Sequence, residues 1–268
     1  MRPLDELKPD RTIEVLFFDI DDTFTHHGHL RSEALAALER WRALGRQAVA
    51  VTGRPAGWCD HFARMWPIDA VIGENGAFWF AYAPVTNTLQ RTYLAYPEPG
   101  EALQVQINHV KEQVLARHPT AALASDQAYR LYDLAIDFAE DVRPALSLLE
   151  AEAIAQTMRS LGMTAKVSSI HVNGWFGTHN KQQACLRWLE QTHGWDERTA
   201  QPRCVYVGDS LNDEPMFAKF QLSVGVANIA PFLGLMKSPP AFITRAEASD
   251  GFCELVTHLL GEQAAIEP

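Results

Sequence analysis

The chain has 268 residues, which suits one large domain or two modest ones. Its composition, with 47% hydrophobic and 21% charged residues, is typical of a soluble globular protein. A formal net charge of −10 without a local basic patch argues against a nucleic-acid partner, because such a chain repels the phosphate backbone. No apolar run approaches the roughly 18 residues that span a membrane, so the sequence predicts no membrane association.

The start of the chain and its cysteines predict the compartment. Residues 1–11 are polar and contain proline, so they do not resemble a signal peptide. Cys59, Cys185, Cys204 and Cys253 are scattered and include no C-x-x-C pair, which indicates reduced thiols rather than a disulfide framework. We therefore expect a cytoplasmic protein.

The first buried strand is predicted from the apolar run at 13–18, which ends in three carboxylates, Asp19, Asp21 and Asp22. Ligands of open α/β sheets bind at the carboxyl ends of strands, and Asp19 and Asp21 lie on the same side of the chain. Two carboxylates about 4 Å apart repel by roughly 4 kcal/mol at an effective dielectric constant near 20. The stretch therefore indicates either a cation or a shared proton, or only a capped strand-to-turn junction.

Strands and helices alternate up to about residue 76, and the alternation resumes after residue 178. The predicted strands of these two segments are at 13–18, 47–51, 69–72, 204–207, 222–226 and 241–244. Helices are predicted at 33–44, at 181–192 and at 251–260, and a further helix after the second strand ends at about residue 65. Ser32 is the predicted N-cap of the first helix. The alternation predicts an α/β fold whose core is a Rossmann-like, doubly wound parallel sheet.

The middle of the chain has a different pattern, with a hairpin at 78–96, helices at 101–117 and 150–161, and strands at 131–138 and 165–172. We interpret residues 83–177 as an inserted α+β cap domain, and residues 1–82 and 178–268 as the catalytic core. Such a cap is expected to exclude water and to contact the leaving group. The candidate substrate contacts flank its strands and are Arg130, Asp133, His171, Asn173 and Trp175.

Four motifs lie at the ends of predicted strands or helices: Asp19 with Asp21, Thr52 with Gly53, Lys181, and Asp209 with Asn212 and Asp213. In this order they resemble the haloacid dehalogenase superfamily of phosphohydrolases. The resemblance is to the branch whose cap follows the third core strand, which includes Cof-type sugar phosphatases, sucrose-phosphate phosphatase and mannosyl-3-phosphoglycerate phosphatase. It covers residues 13–244, and residues 75–77 and 225–228 also match the family pattern. Asp22 departs from the glycine of many members, a change that the family tolerates.

The resemblance implies that Asp19 is the nucleophile that forms an aspartyl phosphate, and that Asp21 is the general acid and base. It also implies a cation bound by Asp19, Asp209 and the backbone carbonyl of Asp21, with Asp213 behind it to order metal-bound water. Oxygen ligands and a phosphate substrate favour Mg²⁺ over zinc as the cofactor.

The remaining motifs are predicted to bind the phosphate group. The hydroxyl of Thr52 and the N–H groups from Gly53 onward can donate to it, and Asn212 would add an amide donor. A lysine in the first turn of a helix, such as Lys181, opposes the helix dipole by several tenths of a kcal/mol. A bound phosphate reverses that sign, because helix N-termini attract anions.

The sequence therefore predicts a Mg²⁺-dependent phosphatase of a small phosphorylated metabolite, a sugar phosphate or a phosphoglycerate derivative. Three alternatives stay open at this stage: a phosphomutase of the same superfamily, a signalling receiver-like domain, and a non-catalytic phosphate-binding module. Receiver domains place an acidic pair after the first strand instead of the phosphoacceptor. A non-catalytic binder would not require the complete set of acids.

Overall fold

Two β-sheets organise the chain in the computed structural model, which describes residues 1–8, 12–96 and 98–261. The strands of these described residues are β1 (Arg2–Pro3), β2 (Val15–Phe18), β3 (Gln47–Val51), β4 (Ala70–Gly73), β5 (Phe78–Ala83), β6 (Thr88–Tyr93), β7 (Ala122–Leu123), β8 (Asp133–Asp137), β9 (Thr164–Val167), β10 (His171–Trp175), β11 (Cys204–Gly208), β12 (Leu222–Gly225) and β13 (Phe242–Ile243).

The helices flank the two sheets, and no helix in the described ranges is long and apolar enough to cross a membrane. The α-helices are α1 (Ser32–Ala43), α2 (Ala56–Met65), α3 (Glu101–Arg117), α4 (Leu148–Ser160), α5 (Lys181–His193), α6 (Glu197–Ala200), α7 (Glu214–Lys219) and α8 (Ala248–Leu260). Shorter helical turns are formed by Leu4–Glu6, Ile20–Phe24, Glu74–Gly76, Gln127–Tyr129, Gln201–Arg203, Leu211–Asp213 and Ala227–Leu235.

The larger sheet has nine strands in the order β1-β13-β12-β11-β2-β3-β4-β5-β6. Neighbours from β1 to β4 are parallel, and β5 and β6 are antiparallel additions at one edge. The central strand β2 is buried on both faces, with Leu16 and Phe18 in one apolar cluster and Val15 and Phe17 in the other. A continuous apolar run is what a parallel strand covered by helices on both faces requires. The predicted doubly wound α/β core is confirmed.

The smaller sheet is antiparallel, with the order β7-β8-β10-β9. One face carries Leu134, Ile136 and Val172 into the apolar core shared with α3 and α4. Because side chains alternate along a strand, the other face carries the polar residues Asp133 and Asn173. The strand β6 lies in the larger sheet, and the division of the chain at residues 83 and 177 stays a prediction.

Two local predictions differ from the structure, and one strand was not predicted. The strand predicted at 165–172 is wrong, because the chain turns after β9 and returns as β10, with Ser168 Oγ accepting hydrogen bonds from the turn. The predicted N-cap of α1 is also wrong: Arg31 occupies that position, and the hydroxyl of Ser32 donates to Glu33. The edge strand β1 was not predicted, since two residues carry no periodic pattern.

Glu74 joins the two sheets through buried hydrogen bonds. Its carboxylate follows β4 and accepts from the backbone N–H of Ala56 at 2.9 Å, and from Leu131, Tyr132 and Asp133 at 2.6 to 3.2 Å. Residues 131–133 lead into β8 of the smaller sheet. One buried side chain therefore accepts hydrogen bonds from backbone N–H groups of the core and of the smaller sheet. Because these groups are buried, they would otherwise have no hydrogen-bond partner.

We expect Glu74→Gln to lower the free energy of unfolding by about 2 to 4 kcal/mol, because an amide donor would face backbone donors and leave them unsatisfied. Urea unfolding measures this loss. The matched control is Glu152→Gln, at an exposed carboxylate 2.6 Å from Arg159, where we expect a change below about 1 kcal/mol. Equal stability of the two variants would contradict this account of the junction.

Candidate active site

Three carboxylates meet at the carboxyl ends of the neighbouring strands β2 and β11. Asp19 follows β2, Asp209 follows β11, and Asp213 lies in the turn after it. All three are buried, and one oxygen of each lies within 4.8 Å of the others. The structure thus brings together side chains that are more than 180 residues apart in the sequence, because parallel strands end at the same edge.

Lys181 lies among these acids. Its ammonium is only 4% exposed and donates to Asp19 Oδ1 at 2.7 Å and to Asp213 Oδ1 at 2.8 Å. Although burial alone lowers the pKa of Lys181, the two carboxylates raise it above its ordinary value. The lysine therefore stays protonated and holds both acids in place.

The position of Lys181 depends on the turn that precedes its helix. Asn180 caps α5 by accepting from Gln183 N at 2.9 Å. Gly76 has a φ of +102°, and a Cβ atom there would lie 2.3 Å from the carbonyl oxygen of Asn180. Only glycine allows this close approach, so the start of α5 can lie directly against the turn after β4.

Asp213 organises the turn after β11. Its Oδ2 atom accepts from the N–H groups of Asp209 at 3.0 Å and Ser210 at 3.2 Å. Its Oδ1 atom accepts from Tyr206 O–H at 2.5 Å as well as from Lys181. A Cβ atom at Gly208 would lie 2.5 Å from Oδ2, so the strand must end in glycine for the carboxylate to fit. Asp213 is thus held by four donors.

With its three acids ionised, the cluster would carry more negative than positive charge. Burial, together with repulsion from Asp213 and Asp21, raises the pKa of Asp19 to about 8 against the opposing effect of Lys181. Burial and then repulsion from Asp19 raise the pKa of Asp209 well above its ordinary value. A buried set of oxygen ligands with surplus negative charge fits a hard divalent cation such as Mg²⁺. Asp19, Asp209 and Asp213 are the side chains that would hold it.

Asp21 is bound by Arg54, a residue that we did not nominate from the sequence. The Arg54 side chain is 3% exposed, and its Nε atom lies 3.0 Å from both carboxylate oxygens of Asp21. The same guanidinium donates to Asp126 at 3.3 Å and to Glu140 at 2.6 Å. The arginine of the T-G-R motif was visible in the sequence, but its partners come from the distant cap segment.

The predicted phosphate-binding residues lie around this cluster. Thr52 directly follows β3, is buried, and its hydroxyl accepts from Arg54 N at 3.0 Å. A Cβ atom at Gly53 would lie 3.4 Å from Asn173 Oδ1 of the smaller sheet. Asn212 accepts from Ser210 Oγ at 2.8 Å and, with Lys181 and the cap residue Trp175, lines a cavity of about 210 Å³. Their role with phosphate stays a prediction.

Three predicted cap contacts hold the smaller sheet against the core. Arg130 donates to the carbonyl oxygen of Gly53 at 2.7 Å and to Asp133 at 2.8 Å. Asp133 accepts from Asn75 and from Asn173, each at 3.2 Å. These buried side chains contact the turns that follow β3 and β4. Their contribution to specificity stays a prediction.

The other two cap candidates have different surroundings. His171 Nε2 lies 2.8 Å from Glu140 Oε2. Although burial raises the pKa of Glu140, its hydrogen bonds with His171 and Arg54 lower it to about 2. Trp175 is buried, and its indole N–H donates to the carbonyl oxygen of His179 at 3.1 Å, in the segment that returns to the core.

A cleft of about 350 Å³ separates the core from the cap and reaches Asp21. The core contributes Asp21, Asp22, His27, Gly28 and Arg54 to its walls. The cap contributes Ala139, Glu140, Arg143, Ser169 and Ile170. Since Asp21 is the candidate acid, this cleft is where a leaving group would lie during proton transfer.

Comparison with known proteins gives one consistent family. Residues 16–141 match the family model of haloacid dehalogenase-like hydrolases. A curated relative, the phosphoglycolate phosphatase of Methanosarcina mazei, is 25% identical over 247 residues, which cover 92% of this chain and 96% of the relative.

Two solved structures share the fold over nearly their whole length. Thermoplasma acidophilum 0175 has a TM-score of 0.67 at 14% identity and covers 92% of this chain and 98% of its own. The subclass IIB sugar phosphatase BT4131 has a TM-score of 0.60 at 15% identity, with 91% and 98% covered. At these identities the likeness concerns the fold.

We expect Mg²⁺ to raise the melting temperature of the protein, and more so at pH 8 than at pH 6. The pKa of Asp19 in the folded protein is raised to about 8, so the folded state keeps a proton that the unfolded chain has already lost. The stability of the metal-free protein therefore falls as the pH rises from the ordinary pKa of an aspartate towards 8. A bound cation offsets this loss. Thermal unfolding with and without Mg²⁺ measures it.

In the same experiment Asp209→Asn removes one buried acid, so the metal-free variant should lose less stability with rising pH and gain less from Mg²⁺. The control is Asp250→Asn, at an exposed residue that pairs with Arg31. If Mg²⁺ stabilises the Asp209 variant as much as the wild type, the cation binds elsewhere.

Proposed function

We propose that this chain, whose residues 16–141 match the family model of haloacid dehalogenase-like hydrolases, hydrolyses the phosphate ester of a small metabolite with Mg²⁺ and through an aspartyl phosphate. The observation that carries the proposal is the arrangement around Asp19: a buried carboxylate held by Lys181 at 2.7 Å, with two further acids beside it and Asp21 at the adjoining cleft. This set would provide a nucleophile, a cation site and a proton donor in one place.

The proposed reaction begins with attack of an Asp19 oxygen on phosphorus, and the bond from phosphorus to the leaving oxygen breaks. Lys181 orients the nucleophile and favours its ionised form. When bound, Mg²⁺ would neutralise charge on the phosphoryl oxygens. Thr52, Gly53 and Asn212 are proposed to donate hydrogen bonds to those oxygens.

Asp21 is proposed to give a proton to the leaving oxygen and then to accept one from the water that hydrolyses the aspartyl phosphate. In the structure its carboxylate accepts from Arg54, which fixes its orientation at the end of the cleft. The acid step therefore requires the carboxyl group to turn from Arg54 towards the leaving oxygen.

The cleft supports a small substrate. Its volume of about 350 Å³ and its polar walls suit a short phosphorylated acid or a sugar phosphate. The names of two relatives, a phosphoglycolate phosphatase and a sugar phosphatase, support the same two classes. We include in the proposal a cap built from residues 83–177 that sets specificity. The four free cysteines support the proposed cytoplasmic location.

A phosphate-release screen over sugar phosphates, phosphoglycolate, phosphoglycerates and nucleotides tests the function. We expect turnover that EDTA abolishes and that Mg²⁺ restores better than Ca²⁺, whose looser coordination suits in-line transfer less. Full activity after exhaustive chelation would refute the metal dependence. Interconversion of phosphate isomers stimulated by glucose 1,6-bisphosphate would identify a phosphomutase instead.

Two isosteric variants separate the roles of the first two acids. Asp19→Asn should form no phosphoenzyme, because it lacks the attacking oxygen anion. Asp21→Asn should lose about 10² to 10⁴-fold in turnover, and it should accumulate the phosphoenzyme from a substrate with a good leaving group. Rapid-quench labelling with a radioactive phosphoryl group measures both. Wild-type labelling of Asp19→Asn would show that another residue is the nucleophile.

A further inference from the structure

Arg143 lies on the cap wall of the cleft that reaches Asp21. Its Nη1 group donates to two backbone oxygens, of Val142 at 2.8 Å and of Ala139 at 3.3 Å. Within residues 1–8, 12–96 and 98–261, its Nε and Nη2 groups have no hydrogen-bond partner and the residue forms no ion pair. One edge of the guanidinium is thus anchored to the backbone, and the remaining donors are available to a ligand.

The other charged groups of this cleft already have partners. Arg54 is engaged by Asp21, Asp126 and Glu140. Asp22 accepts from His27 N at 3.0 Å, and Glu140 is bound by Arg54. The Nε and Nη2 groups of Arg143 are therefore the charged donors of this cleft that have no partner among the described residues, and a ligand in the cleft can accept from them.

A guanidinium with unused parallel donors binds a carboxylate better than a hydroxyl group, because two charge-assisted hydrogen bonds form in one plane. The anchored Nη1 group reduces the side-chain freedom that binding would otherwise remove. The cleft of about 350 Å³ extends from Asp21 of the core to Arg143 on the opposite wall, and this volume leaves room for a short carbon chain between them.

We propose that Arg143 binds a carboxylate on the leaving group, so that the preferred substrate is a phosphorylated short hydroxy acid rather than a phosphorylated polyol. The inference rests on the proposed phosphatase function and narrows its substrate class. Arg143 acts as a specificity-determining residue, because it touches the part of the substrate that is released and takes no part in the transfer of the phosphoryl group.

The test compares two substrates that differ only in this group: 2-phosphoglycolate, and 2-hydroxyethyl phosphate, in which an alcohol replaces the carboxylate. Wild type should prefer phosphoglycolate. Arg143→Gln should lower kcat/KM for phosphoglycolate by about tenfold or more and change kcat/KM for hydroxyethyl phosphate less than about twofold. Arg143→Lys, which keeps the charge without the planar fork, should lie between wild type and Arg143→Gln.

The matched control is Arg187→Gln, which removes the same charge from an exposed arginine of α5 that pairs with Glu190. It should change kcat/KM for neither substrate. That result would show that a loss in Arg143→Gln comes from a lost contact and not from the change in net charge. An unchanged ratio in Arg143→Gln, an equal loss on both substrates, or a wild type that prefers hydroxyethyl phosphate would each overturn the inference. A wild type that releases phosphate from neither substrate, nor from sugar phosphates or para-nitrophenyl phosphate, would instead overturn the proposed function.

Discussion

The ion pairs of Lys181 with Asp19 and Asp213 are the interaction on which the site depends. Three buried acids at one sheet edge repel one another, and the lysine is the cation of the described chain that lies between two of them. A buried charge that loses its partner destabilises a protein strongly, so the surrounding backbone must hold this geometry. Gly76 lets the start of α5 approach the sheet, and Gly208 leaves room for Asp213. The electrostatics of the site thus dictate glycine at two turns.

Buried polar contacts join the predicted cap to the core, beside the apolar cluster that both share. Glu74 accepts from the backbone that leads into β8, Arg130 donates to Gly53, and Arg54 reaches Asp126 and Glu140. Hydrogen bonds and ion pairs of this kind depend on direction and distance, whereas apolar contacts tolerate sliding. The cap therefore has a defined register on the core, and the cleft walls formed by its loops have a defined distance from Asp21.

Much of the core and its acids could be predicted, because short motifs at strand ends imply a meeting point once the strands are parallel. Asp19, Lys181 and Asp209 needed only the strand order to be placed together. The contacts of Arg54 and Glu74 with the smaller sheet's segment could not be predicted, since those partners lie about 57 to 86 residues away on a segment of different topology. The turn at Ser168 was missed because the residues on both sides of it favour strands.

The pairing of Asp21 with Arg54 links the chemistry of the site to the position of the cap. Arg54 has three carboxylate partners, and two of them, Asp126 and Glu140, belong to the predicted cap. With Asp126 and Glu140 in contact, Arg54 still holds Asp21 at 2.8 to 3.0 Å. Because one rigid guanidinium serves all three carboxylates, the orientation of Asp21 depends on where Asp126 and Glu140 lie. A residue of the core thus links the candidate acid to the segment that carries the smaller sheet.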